Sequence, residues 1–314
     1  MPPERKDGMT ALITGGAGFI GSHLVDAVLA SGGRAVVVDD LSTGKKENVR
    51  PEVRFYQVDI RDAGALEEVF LRERPEIVNH HAAQADVRKS MADPGFYAQV
   101  NVLGTVNVLA LSLRYGVRKM VFASTCAVYP EPETIPASEA HPVQPLSTYG
   151  LTKYIGEKYL ELYRDVHGLK FTAFRYGNVY VPRQDPKGEA GVVAIFSQQM
   201  LGGVRPTLFG NGTKTRDYVY VADIVAANLL AMAGAGDGQV FNLGWGREVT
   251  DFEVFDAVRR AVGVFVEPIH AQKRPGEVDR IALDSGKARA LLGWQPRVPF
   301  EEGTRWAVEY YRRR

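Results

Sequence analysis

One cysteine, Cys126, stands in a chain of 314 residues, so there is no internal disulfide framework and no thiolate metal cluster, and a reducing, cytoplasmic location is expected. Charge of one sign is also lacking. The 38 Lys and Arg residues face 37 Asp and Glu, a formal net charge of +1, which leaves no broad field to draw nucleic acid or an anionic membrane. Any anionic ligand must therefore be held by a few local groups. Consecutive apolar runs are strand-sized, short of the ~20 residues a membrane span needs, so no span is expected. No repeat of fixed period and no low-complexity stretch divides the chain. Met1 to Thr10 mixes proline, charge and glycine without an apolar stretch. It reads as a frayed leader, not a signal peptide, with Met9 an alternative start.

What is present is an ordinary globular composition, 45% hydrophobic and 24% charged, enough for one large or two modest cores. Apolar, β-rich runs recur at Ala11 to Thr14, Ala35 to Val38, Val53 to Val58, Ile77 to Asn79, Lys119 to Ala123 and Phe171 to Arg175, with helical patterns such as Ile20 to Ala30 between them. Continuous Val/Ile/Leu runs separated by helices predict a parallel sheet buried on both faces, an α/β Rossmann-type doubly wound fold. After Arg175 the texture shifts to Gly- and Pro-rich loops with shorter elements. These predict a smaller C-terminal substrate-binding lobe over the carboxyl edge of the sheet. The expected division is 9–175 for the dinucleotide domain and 176–314 for the lobe. Its boundary is interleaved, because 216–243 carries a strand and helix pattern, Tyr218 to Met232, suited to returning to the first domain.

Gly15, Gly18 and Gly21 are spaced G-x-x-G-x-x-G directly after the first strand, and Phe19 and Ile20 open the helix that follows. Glycines there let the backbone turn tightly and approach a pyrophosphate, while the helix amides meet its charge. That setting between strand and helix is what the motif requires. Eighteen residues past Gly21, at the end of the second strand, stands Asp39, followed by Asp40. A carboxylate there accepts from an adenosine ribose and repels a 2′-phosphate, favouring NAD over NADP, or else it is an acidic turn residue. Lys45 and Lys46 keep the phosphate preference open.

Tyr149 and Lys153 are four residues apart at the start of a predicted helix. On one face the ammonium can favour the phenolate of a group that ionises near pH ~10, turning a weak acid into a base. Alone, the pair is more often a surface helix contact than a catalytic dyad; its neighbours decide. Cys126 has no base or cation beside it in sequence and reads as a small apolar residue. The His80-His81 pair reads as strand-end packing, and no metal site is expected.

Together these residues resemble the extended short-chain dehydrogenase/reductase superfamily, and within it the UDP-glucose 4-epimerase-like nucleotide-sugar epimerases. The resemblance runs from about Met9 to the C-terminus. It is carried by the glycine loop, Asp59-Ile60-Arg61-Asp62, His80-His81-Ala82-Ala83-Gln84, Asn101, Ser124-Thr125, Tyr149 with Lys153, Arg175-Tyr176-Gly177-Asn178, Thr215-Arg216-Asp217-Tyr218 and Arg274-Pro275-Gly276-Glu277. It implies bound NAD, with Asp59 and Ile60 near adenine, Ala82, Ala83 and Asn101 beside the dinucleotide, and Lys153 on the nicotinamide ribose. Thr125 would hydrogen-bond the sugar hydroxyl while Tyr149 takes its proton, giving a 4-keto sugar whose re-reduction on the other face inverts C4. Related dehydratases and decarboxylases carry an acidic residue two places after that hydroxyl; here Cys126 and Ala127 follow, which argues against elimination.

The same resemblance implies a UDP-sugar substrate, held by Ser124, Thr125, Tyr149, Asn178, Val192, Phe209, Arg216, Arg274 and Glu277. Arg216 and Arg274 are the bidentate pair for a diphosphate, although Arg216 beside Asp217 is alternatively an ion pair and Glu277 a solvated loop charge. The loop from Asp185 to Val192 would fold over the nucleotide sugar. Val181 stands where many relatives have glycine, so a different turn is expected there. Ile281 matches a position that gates N-acetylated sugars, which keeps UDP-glucose, UDP-N-acetylglucosamine and UDP-glucuronate all in view. A homodimer through helices near Phe96 to Tyr115 and Thr148 to His167 is implied, and a non-catalytic dinucleotide-binding sensor is the reading from another class.

Overall fold

The structure, a computed structural model, describes residues 9–186, 191–272 and 278–314. In chain order the first half runs β1 (Thr10–Thr14), α1 (Phe19–Ala30), β2 (Arg34–Val38), β3 (Arg54–Tyr56), α2 (Ala63–Glu73), β4 (Ile77–His80), α3 (Val87–Ala92), α4 (Pro94–Tyr97), α5 (Gly104–Arg114), β5 (Lys119–Thr125), α6 (Thr148–His167) and β6 (Lys170–Tyr176). The second half adds β7 (Asn178–Tyr180), α7 (Val192–Leu201), β8 (Thr207–Phe209), β9 (Thr215–Arg216), β10 (Tyr218–Tyr220), α8 (Val221–Met232), β11 (Gln239–Leu243), β12 (Val249–Thr250), α9 (Asp251–Val262), β13 (Ile269–Ala271), α10 (Gly286–Leu292) and α11 (Phe300–Arg312).

Seven strands form one parallel sheet in the order β11-β6-β5-β4-β1-β2-β3. Because side chains alternate along a strand, one set of residues meets each helical layer. Ala11, Ile13, Val37 and Val121 share a core with Leu24 and Val25 of α1 and Ile224 of α8. Leu12, Val36, Val78 and Met120 share the other with Leu66 and Phe70 of α2, Leu109 of α5 and Leu160 of α6. Every residue of β5 is buried, which is why that segment reads as an unbroken run rather than an alternation.

The strand that returns to the sheet is β11, which pairs with β6; β10 pairs with β7 in a separate two-stranded ribbon. The Tyr218 to Met232 pattern thus contributes its helix, α8, packed on α1, while its strand stays outside the main sheet. Helices α7, α9 and α11 pack on one another, and Tyr180 joins them through rings 5.5 Å from Tyr220 and 5.6 Å from Phe300.

Apolar character is more extensive than consecutive runs suggest. From Pro94 the chain stays helical to Arg114 through a π-helical turn at Ala98–Leu103, long and apolar enough by length and composition to cross a membrane, with mean hydropathy 1.4. Polar Asn101 and Asn107 interrupt the sequence run but not the helix. Half of that window is buried within the fold, so packing against the sheet accounts for much of its composition.

Candidate active site

A cleft of about 1120 Å³ opens over the carboxyl ends of the strands, between the sheet and the shorter elements that follow β6. That is where open α/β sheets bind ligands. Gly15, Gly18, Phe19, Ile20 and Gly21 line one end. Gly15 has φ +70, and a Cβ there would stand 2.7 Å from Ala82 N, so the cradle exists only without a side chain. Helix α1 starts with no side-chain cap and no acid in its first turn, leaving its amides to an anion such as the pyrophosphate of NAD.

Asp39 also lines this end, buried to 6% exposure, with Oδ2 accepting from Ala17 N at 3.0 Å and Oδ1 from Leu41 N at 2.8 Å. Burial raises its pKa, against those amide bonds. Each oxygen keeps a lone pair for ribose hydroxyls. Of the lysines that kept the phosphate preference open, Lys45 lines the cleft and pairs with Asp185 at 3.1 Å, and Lys46 lies over the Phe55 ring. Asp40, Asp59, Ile60, Ala82 and Ala83 complete the wall. The Asp59 carboxylate is gripped by Arg61, which holds its pKa below the usual range.

Asn101 is not on that wall. Buried in the π-helical turn, it accepts from Gln84 N at 2.8 Å and donates to Gln84 O at 2.9 Å and Thr152 Oγ1 at 3.0 Å. It braces the segment after β4 against α6 instead of touching the cleft, because the turn aims its amide inward.

Thr125, Tyr149 and Lys153 all line this cleft. Ser147 caps α6 by accepting from Gly150 N at 3.1 Å, which fixes where the helix begins. Gly150 then allows close contact with the turn after β5; a Cβ there would lie 2.2 Å from Ala127 O. The i, i+4 spacing places Tyr149 and Lys153 on the cleft side, Lys153 buried with Nζ 5.0 Å from the Phe122 ring centroid. Thr125 Oγ1 does cap a turn, accepting from Ala127 N at 3.1 Å, and its hydroxyl also lies within hydrogen-bond reach of the Cys126 thiol. Burial pushes the neighbouring Cys126 thiol up to about 11, so it is no thiolate at neutral pH.

Behind these residues lies a network that motif reading did not assign as a whole. Ser124 lines the cleft and donates to Glu157 Oε1 at 2.5 Å; Glu157 and Arg175 form a buried ion pair, and Arg175 also donates to Tyr129 OH at 2.8 Å. Ser124 and Arg175 stand in the motifs named above; Glu157, one turn past Lys153 on the buried face of α6, is the member that motif reading missed. His80 bonds Thr14 and Thr105, and His81 bonds Tyr176; among the described residues there is no cluster able to hold a metal ion.

Across the cleft stand Asn178, Val192, Phe209, Arg216 and Ile281. Arg216 is not ion-paired with Asp217. The Asp217 carboxylate accepts from Trp245 N, Gly246 N and Leu283 N, and burial raises its pKa to about 6. Arg216 Nη1 donates to Thr215 O, leaving its other donors to the cleft. Val181 has a positive φ of +31 despite its branched side chain. Its side chain is fully buried in the core, which offsets the strain. The segment after it is tied to α1 by Arg183–Asp26 at 2.7 Å and to the segment after β2 by Lys45–Asp185. Arg274 and Glu277, and positions 187–190 of the expected covering loop, lie outside the described residues.

Residues 11–244 match the model of the NAD dependent epimerase/dehydratase family. The UDP-glucose 4-epimerase of Mycolicibacterium smegmatis is 45% identical over 310 residues, covering 97% of this chain and 99% of that protein. The crystal structure of Thermotoga maritima UDP-glucose 4-epimerase with UDP-glucose is 46% identical and superposes with a TM-score of 0.95, covering 97% of this chain and 99% of that one. Thermus thermophilus UDP-glucose 4-epimerase in complex with NAD, also 46% identical with the same coverage, gives 0.92. The chain belongs to the NAD dependent epimerase/dehydratase family.

Proposed function

We propose that this protein is an NAD-dependent 4-epimerase of UDP-sugars, interconverting UDP-glucose and UDP-galactose. The observation that carries this is the grouping of Thr125, Tyr149 and Lys153 in one cleft with the glycine cradle on one side and Arg216 on the other. Cys126 and Ala127 follow Thr125, so the usual acid for loss of water across C5 and C6 is missing at its place.

NAD, when bound, supplies a reversible acceptor for the hydride of sugar C4. The glycine loop and the α1 amides bind its pyrophosphate, and Asp39 accepts from its adenosine ribose. Thr125 Oγ1 orients the 4-hydroxyl. Tyr149 Oη removes the proton from that hydroxyl and later returns it, while Lys153 Nζ stabilises the phenolate. Arg216 holds the substrate diphosphate, joined, by resemblance, by Arg274, with Asn178 beside them and Glu277 on the uridine ribose.

Ile281 supports UDP-N-acetylglucosamine as a further substrate. It is buried at the cleft wall, an aliphatic side chain narrower than an aromatic one. A homodimer is supported by exposed apolar side chains on α5 and α6, namely Leu113, Leu151, Leu162 and Val166, with Leu103 just before α5. The single cysteine supports a cytoplasmic location.

Incubating the purified protein with UDP-glucose, UDP-N-acetylglucosamine and UDP-glucuronate in turn, and analysing the sugars, tests the assignment. UDP-galactose from UDP-glucose is expected. Exchange with none of the three would return the protein to a non-catalytic dinucleotide sensor.

A further inference from the structure

His80 ends β4 with no exposed surface, and both its ring nitrogens are engaged, Nδ1 with Thr14 Oγ1 at 2.6 Å and Nε2 with Thr105 Oγ1 at 2.9 Å. Neighbouring bonds settle which nitrogen carries the proton. Thr105 Oγ1 lies 2.6 Å from the carbonyl oxygen of Asn101, and a carbonyl can only accept, so the one hydroxyl hydrogen of Thr105 points there. Toward His80, Thr105 is therefore an acceptor. Nε2 holds the proton, Nδ1 is bare, and Thr14 donates to it while accepting from Ala82 N at 3.2 Å.

The chain continues through Asn101. The backbone of Gln84 orients its amide, Oδ1 accepting from Gln84 N and Nδ2 donating to Gln84 O, and Nδ2 also donates to Thr152 Oγ1 at 3.0 Å. Thr152 Oγ1 in turn donates to Tyr149 O at 2.8 Å. Thr14, Asn101, Thr105 and Thr152 are all 2% exposed or less, so one directed, enclosed network runs from the segment after β4 at Ala82 to the first turn of α6. His80 reaches Lys153 by packing. Its ring stacks on Phe122 with centroids 5.8 Å apart, and Lys153 Nζ lies over that same Phe122 ring.

Resting on the epimerase reading, reaction at C4 needs the hydride acceptor and the proton acceptor held in register, and different elements carry them, the wall at Ala82 and helix α6. We infer that His80 is a positioning residue for that register, a neutral Nε2–H imidazole set between the dinucleotide wall and the Tyr149–Lys153 pair. A neutral imidazole presents an acceptor and a donor on opposite edges of a flat ring. An imidazolium would present two donors and set Nδ1–H against the Thr14 hydrogen.

Turnover of UDP-glucose by the NAD-loaded protein, compared across a double-mutant cycle, tests this. His80→Gln keeps a donor for Thr105 but lacks the second ring nitrogen, and Thr152→Val, similar in volume, removes the last hydroxyl. Each is expected to lower kcat about tenfold with KM for UDP-glucose and bound NAD unchanged, and the double variant to fall no further than either single one. Thr152→Ser returns the hydroxyl and should recover most of the loss. Losses that multiply in the double variant, or a loss of bound NAD that accounts for the lost turnover, would make these independent packing residues and overturn the inference. Nitrogen-15 NMR of the imidazoles, with His80→Gln identifying the signal, should show Nε2–H; a proton on Nδ1 would overturn the network's direction without reference to turnover. Wild-type protein that turns over no UDP-sugar would overturn the epimerase reading, whichever tautomer His80 shows, and this role with it.

Discussion

Arg175 grips Glu157 through two hydrogen bonds, Nε to Oε1 at 3.0 Å and Nη2 to Oε2 at 2.7 Å, one helical turn past Lys153. Both side chains are almost wholly enclosed, at 6% and 0% exposure. Removing one partner of such a pair strands a buried charge and costs about 3–5 kcal/mol. Glu157→Leu is therefore expected to lower the unfolding free energy by that order and to release Ser124 from its fixed orientation. Urea denaturation reads the first effect, and an unchanged midpoint would contradict the structural role given to the pair.

Tyr149→Phe removes the hydroxyl that moves the proton and leaves the ring in place. Turnover is expected to fall about 10²-fold or more, the range for general acid/base groups, with bound NAD unchanged. A near-wild-type rate would remove Tyr149 from the mechanism.

Acid stability follows from two enclosed imidazoles. Burial, with the Lys153 charge adding to it, lowers His81 to about 3 and His80 well below 6.5. His80 has no exposed surface; His81 is partly exposed to the cleft but otherwise surrounded by protein. Both are neutral when folded, so below pH 6.5 the unfolded chain gains protons that the native one does not. The stability they contribute is present above pH 6.5 and lost as pH falls, by up to ~1.4 kcal/mol per unit for each histidine. Asp217 works the other way: raised by burial to about 6, its contribution is full below pH ~4 and lost as pH rises through 6. It offsets roughly one histidine between pH 6 and 4. Unfolding free energy should therefore fall from pH 6.5 to 4, and His81→Gln should flatten the slope by an amount of order 1 kcal/mol per unit. An unaltered slope in denaturation at several pH values would refute this.

Much of the molecule was legible in its residues, for reasons that differ by element. Strands β1 and β5 are buried along nearly their whole length, so unbroken apolar runs reveal them, and the glycine loop announces itself because only glycine fits against Ala82. β11 was harder. It is five residues set between glycines, while Tyr218–Tyr220 has the stronger β composition yet pairs only with β7. Asn101 carries a recognisable position but its aim depends on a π-helical turn, which no periodicity reveals. Glu157 pairs with a residue on another element, a partnership set by packing rather than spacing. Val181 shows a local preference overridden by burial, where a branched residue holds a conformation better suited to glycine.

The central claim is that C4 is inverted by removal and return of the same hydride, with Tyr149 moving only the hydroxyl proton. Converting UDP-glucose in deuterium oxide and examining the UDP-galactose by NMR tests it directly. The account predicts product with no deuterium at C4; deuterium at C4, or no UDP-galactose at all, would contradict it.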